Sequence, residues 1–131
     1  MVRRSPPHGG RALIVEDEFW IAMGLEAEMY ALGFEICDLA ADAQNAFLRA
    51  MENQPDIVLM DVCLEGGREG IEAARWLREV CEVPIVFVTG NSDRDTIERI
   101  HKQVPGAPVL PKPVVLDRLG EAVAEVVQPD P

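Results

Sequence analysis

Positive charge is scarce in this sequence. Its 131 residues carry 12 Lys and Arg against 23 Asp and Glu, a net charge of −11. Binding along a phosphate backbone needs clustered basic residues, so the charge argues against direct nucleic-acid contact and suits positively charged partners or ions. Cysteine is equally sparse. Cys37, Cys63 and Cys81 are odd in number and lack C-x-x-C spacing, which argues against a disulfide framework or a zinc site. Reduced thiols in a cytoplasm are the simplest reading, with Cys63 and Cys81 as partly buried small hydrophobes. The two histidines, His8 and His101, are too isolated to form a ligand set. No apolar run approaches the roughly 18 residues of a membrane span. Arg3 and Arg4 precede no apolar segment, so the N-terminus does not read as a signal peptide.

What is there is enough for a core. Hydrophobic residues make up 48% of the chain, which suits one domain of the commonest size and rules out a disordered acidic tail. Residues 1–10, with Pro6-Pro7-His8-Gly9-Gly10, read as a flexible lead-in, 11–127 as the domain and 128–131 as a frayed end. No internal repeat or linker divides it.

The central stretch is Pro55-Asp56-Ile57-Val58-Leu59-Met60-Asp61. Four apolar residues between a proline turn and an acid predict a buried parallel strand whose carboxyl end presents Asp61. Arg11 to Val15 reads as an earlier buried strand ending in Glu16-Asp17-Glu18. Phe34 to Leu39 alternates like an edge strand, and Val83 to Val88 and Ala107 to Leu110 supply the last two. Between them lie helical stripes: Ile21, Leu25, Met29 and Leu32, stopped by Gly33; Ala43, Ala46, Phe47, Ala50 and Met51 behind an Asp42 cap; Ile71, Ala74, Leu77 and Cys81; a weak pair, Ile97 and Ile100, capped by Ser92 or Asp93; and Leu116, Leu119, Val123 and Val127. Trp20 is expected to pack part of its ring in the core, and Trp76 to lie at the surface. Strands alternating with helices predict an α/β, doubly wound parallel sheet of five strands, the flavodoxin-like (βα)5 arrangement in order 2-1-3-4-5.

In such a sheet the strand ends converge on one edge. They would bring together Glu16 and Asp17, Asp61, Thr89 and Lys112. Carboxylates gathered this closely either share a proton or hold a hard cation, and Mg²⁺ suits them without histidine or cysteine. A carboxylate beside Mg²⁺ can attack a phosphoryl donor, while the metal, a lysine and a hydroxyl cover the charge on the phosphoryl oxygens.

Val15-Glu16-Asp17-Glu18, Leu59-Met60-Asp61, Val88-Thr89-Gly90 and Lys112-Pro113, in this order over residues 11 to 127, closely resemble the receiver domain of two-component response regulators. The resemblance implies that Asp61 is the phosphoacceptor. It implies that Asp17 holds Mg²⁺ directly, Glu16 through water, and the Cys63 backbone carbonyl as a further ligand. Thr89 would bond the phosphoryl group and Lys112 pair with it, across a Lys112-Pro113 bond expected to be cis. A histidine kinase or phosphotransfer protein would be the donor, in the cytoplasm, to a monomer or weak dimer. The modified state would shift the surface around the fourth and fifth helices; with no output domain after Val127, the expectation is a partner controlled in trans, a phosphate sink, or a receiver domain excised from a longer protein. The chain would then be a signalling switch rather than an enzyme, apart from self-catalysed phosphotransfer and autodephosphorylation.

The pattern departs from the family in places. The aromatic residue often found three positions before the lysine is Val109 here, so any switch would run through Thr89, the loop after it and the fourth helix. Glu65-Gly66-Gly67-Arg68 replaces a shorter Pro-Gly turn. Phe87-Val88-Thr89-Gly90 resembles the Phe-Ala-Thr-Gly signature of a stand-alone subclass, without the tyrosine that usually follows. Two rivals fit less well. A Mg²⁺-dependent phosphohydrolase would need an acid where Cys63 stands, and a docking module that is never phosphorylated would predict a missing acid, threonine or lysine. A dinucleotide site is excluded because acids replace the glycine loop after the first strand.

Overall fold

In the computed structural model, the described residues are 10–64, 69–90 and 93–127. The expectations for the lead-in before Gly10, the Glu65–Arg68 turn, a Ser92 cap and the tail after Val127 lie outside them. Five strands alternate with five helices: β1 Gly10–Val15, α1 Phe19–Ala31, β2 Phe34–Ala40, α2 Ala43–Asn53, β3 Ile57–Asp61, α3 Glu69–Cys81, β4 Ile85–Thr89, α4 Arg94–Gln103, β5 Val109–Pro111 and α5 Leu116–Val126. The sheet is wholly parallel with the order β2-β1-β3-β4-β5, the flavodoxin-like arrangement. β1 and β3 are neighbours, so the direction in which strands are added reverses between them, beside Asp61.

The period of two along the central strands splits the core into two layers. Leu13, Val15, Val58, Met60, Ile85 and Phe87 face α2, α3 and α4. Ala12, Ile14, Ile57, Leu59 and Val86 face α1 and α5. Every residue of β3 and of β4 is buried, because helices cover both faces and a parallel sheet has no solvent side. Small residues let α2 approach closely: Ala43, Ala46 and Ala50 form its buried stripe.

Several helix ends are built locally as expected. Asp42 accepts from the Asn45 amide at 2.8 Å, and Asp93 accepts from the Thr96 amide at 2.7 Å. Beyond α1, Gly33 takes φ +103° while its amide donates to the Tyr30 carbonyl, a conformation that costs glycine little.

The helical stripes are narrower than periodicity suggests. Met51 and Leu116 are exposed, Ile97 is only half-buried, and Ala22, Thr96 and Ala122 take inner positions instead. Trp20 leaves most of its ring in solvent, at 81% exposed, whereas the inner positions of α1 are taken by Ala22, Leu25 and Met29. Its contact is an edge-on approach to the Phe19 ring. Trp76 is at the surface as expected, resting against Phe47 with ring centroids 4.3 Å apart. Cys81 is half-buried, but Cys63 is exposed, because it alternates with the inward-facing Val62 and Leu64.

Candidate functional site

The loop after β1, the end of β3, the end of β4 and the segment after β5 meet at one edge of the sheet. A cavity of about 320 Å³ opens there, lined by Asp17, Glu18, Asp61 and Cys63 on one side and by Thr89, Gly90 and Lys112 on the other. Glu16 lies beneath it, 3% exposed; Asp61 is 5% exposed and Thr89 1%. Three polar side chains so deeply buried at a strand edge demand partners. Lys112 supplies one to each carboxylate: its Nζ lies 2.7 Å from Glu16 Oε1 and 3.3 Å from Asp61 Oδ1. The Cys63 amide donates to Asp61 Oδ1 at 3.3 Å, and the Glu18 amide donates to Glu16 Oε2 at 3.1 Å.

Backbone contacts hold the contributing ends in register. The Glu16 amide donates to the Ala40 carbonyl, tying the acidic loop to β2. The Lys112 amide donates to the Thr89 carbonyl at 2.9 Å, joining the two ends opposite Asp61. The Lys112-Pro113 peptide is cis, as expected.

Charge in the cavity is unbalanced. Burial pushes the Asp61 carboxyl up to about 6; the neighbouring Glu16 charge adds to this, and Lys112 offsets only part. Burial alone would lower the Lys112 pKa, but its hydrogen bonds and ion pairs with Glu16 and Asp61 outweigh that and leave it raised. Ligand oxygens of Glu16, Asp17 and Asp61 lie within 4.8 Å of one another. This all-oxygen set, with more negative charge than one lysine neutralises, fits a small hard dication such as Mg²⁺.

All five strand-end residues singled out in the sequence therefore meet. Val109 stands apart from the cavity, half-buried against the α2–α3–α4 side of the core and paired in the sheet with Phe87. Two participants were not singled out. Glu18 lines the mouth, which its place in the acidic run could have signalled. Gly70 is the second. It sits in the first turn of α3, and its amide donates to the Val62 carbonyl at 3.1 Å.

The family model for the response regulator receiver domain matches residues 12–124. The chain belongs to that family. It is thus a receiver domain of two-component signalling, a class of signalling module rather than of typical enzymes. It is similar to the transcriptional regulatory protein PdtaR of Mycobacterium tuberculosis, 42% identical over 89 residues, covering 68% of this chain and 43% of PdtaR. The phyllosphere-induced regulator PhyR of Methylorubrum extorquens is 37% identical over 83 residues, covering 63% of this chain and 31% of PhyR. The chain spans less than half the length of either relative. Among solved structures, the receiver domain of a modulated diguanylate cyclase from Desulfovibrio desulfuricans superposes with a TM-score of 0.80 at 32% identity, covering 89% of this chain and 92% of that one. The receiver domain of sensor histidine kinase PA1611 from Pseudomonas aeruginosa, at TM-score 0.77 and 28% identity over 91% of this chain and 98% of that one, holds a magnesium ion in its active-site cleft.

Proposed function

We propose that this receiver is the phosphoacceptor of a two-component phosphorelay, with Asp61 as the acceptor residue. The observation that carries the reading is the placement of the Asp61 carboxylate. It is buried at the floor of an open cavity, 3.3 Å from a lysine ammonium and within 4.8 Å of two further carboxylates. The donor is a histidine kinase or a phosphotransfer protein in the cytoplasm. An Asp61 oxygen forms a bond to phosphorus as the phosphorus–nitrogen bond of the donor imidazole breaks.

Asp17, Asp61 and the Cys63 carbonyl would hold Mg²⁺, with Glu16 acting through water. When bound, the ion neutralises charge on the transferring phosphoryl oxygens. Lys112 contributes a positive charge on the same side, already directed at Asp61. The Thr89 hydroxyl would bond the phosphoryl group. Because the Lys112 amide is bonded to the Thr89 carbonyl, displacement of one strand end is felt by the other. The α4–β5–α5 surface then shifts between two states and controls a partner in trans, with Val109 filling the space where an aromatic switch residue often stands. The receiver works as a monomer or weak dimer. Among the described residues no helix is long and apolar enough to cross a membrane.

The test is intact-protein mass after incubation with acetyl phosphate, with and without Mg²⁺, for the native chain and Asp61→Asn. The expected result is a gain of one phosphoryl group that requires both Mg²⁺ and Asp61. No gain, or an undiminished gain in Asp61→Asn, overturns the assignment.

A further inference from the structure

An alanine-sized Cβ at Gly70 would lie 1.9 Å from the Asp61 carbonyl oxygen and 2.8 Å from that of Val62. Both neighbours are backbone, and both belong to fully buried residues, so neither can yield as a flexible side chain would. Without a side chain, the first turn of α3 rests directly on the peptide of the candidate acceptor. The Gly70 amide then closes the contact through its hydrogen bond to the Val62 carbonyl. The segment it clasps alternates in direction: Val62 and Leu64 anchor it in the core, while Asp61 and Cys63 face the cavity. The orientation of the Asp61 carboxylate and of the residue-63 backbone therefore depends on where α3 sits against β3.

We infer that Gly70 is a positioning residue for the metal and phosphoryl site, acting through a backbone clasp between the start of α3 and the end of β3. The inference rests on the function proposed above and extends it to a residue that touches neither metal nor substrate. Linkage makes the coupling reciprocal: if the closed clasp holds the cation ligands in place, the bound cation must hold the clasp closed. In Gly70→Ala the helix must move off by an ångström or more, because real Cβ atoms do not approach an oxygen at 1.9 Å. The ligand set then loosens even if the fold survives.

Mg²⁺ affinity would be measured by titration calorimetry for the native chain, Gly70→Ala and Gly24→Ala. Gly24 is the control, since a Cβ there meets no heavy atom within 4 Å. Circular dichroism and thermal unfolding of each protein would establish which are folded. Amide hydrogen exchange at Gly70 in the native chain would be followed with and without Mg²⁺. The expected outcome is a folded Gly70→Ala with Mg²⁺ affinity reduced at least about 10-fold and a Gly24→Ala with native affinity. Gly70 exchange in the native chain should slow by up to about 100-fold at 100 times the dissociation constant. Native Mg²⁺ affinity in a folded Gly70→Ala, or Gly70 exchange indifferent to Mg²⁺, overturns the inference and leaves Gly70 a packing residue. If Gly70→Ala does not fold, the exchange result in the native chain decides alone. If the native chain binds no Mg²⁺, the metal part of the proposed function fails first and this inference with it.

Discussion

Asp61 is held in a state that the folded protein tolerates rather than prefers. Its carboxyl titrates at about 6, above the ordinary 3.8, so the folded chain keeps a proton that the unfolded chain releases. Stability therefore falls as pH rises from about 4 to 6, and the full deficit is present above 6. Replacing the carboxylate by an amide removes that deficit. Asp61→Asn is expected to stabilise the Mg²⁺-free protein at pH 7.5 by on the order of 1–2 kcal/mol, after allowing for solvent screening from the open cavity. The gain should vanish near pH 4, and paired thermal melts at the two pH values check both statements. For the same reason Mg²⁺ affinity should rise as pH passes upward through about 6, where proton competition ends. Lys112 has the opposite effect. Lys112→Ala leaves Glu16 and Asp61 buried without their counter-charge and should cost roughly 2–4 kcal/mol in urea unfolding, part of it restored by added Mg²⁺. These residues were legible because each lies at or within two residues of the end of an apolar run, and parallel strands carry such ends to one edge. Gly70 was not legible, because its importance comes from contact with a strand end nine positions earlier, which no local pattern records.

The helices show what periodicity can and cannot determine. A stripe at spacing three and four identifies an inner direction, but the width of the covered band depends on what packs there. Leu77 is fully buried under α3, whereas Met51 is 59% exposed on α2 although both fit their stripes. Leu77→Ala should cost about 2–5 kcal/mol, and Met51→Ala within about 0.5 kcal/mol, measured by denaturant unfolding. Caps are more local and were legible for that reason. Asp42 accepts from the Asn45 amide three residues on, so Asp42→Ala should cost about 1 kcal/mol while leaving Mg²⁺ affinity unchanged. Trp20 shows the converse. Partial core packing of its ring was the expectation, yet it is 81% exposed, because the inward-facing positions of α1 are Ala22, Leu25 and Met29. The strand ends were also blurred by a residue or two: β4 begins at Ile85 rather than Val83, and β5 at Val109 rather than Ala107. Hydrogen-bond pairing with neighbours, not composition, decides where a strand starts.

Over the whole molecule, a net charge of −11 means self-repulsion that a dication bound at the Glu16, Asp17 and Asp61 cluster would relieve in part. Mg²⁺ should raise the unfolding temperature progressively with concentration, approaching about 2.7 kcal/mol at 100 times its dissociation constant. Thermal melts across a Mg²⁺ series, with Na⁺ at matched ionic strength as control, separate site binding from general screening. The sequence by itself determined the alternation of five strands and five helices, the parallel sheet and the five polar strand ends, because all of these follow from patterns within some fifteen consecutive residues. Only the tertiary structure decided the close distances of Lys112 to Glu16 and Asp61, the elevated titration of Asp61 and the seat of α3 upon its peptide. Those depend on burial and on contacts between segments far apart in the chain, and both exist only once the sheet has closed around them.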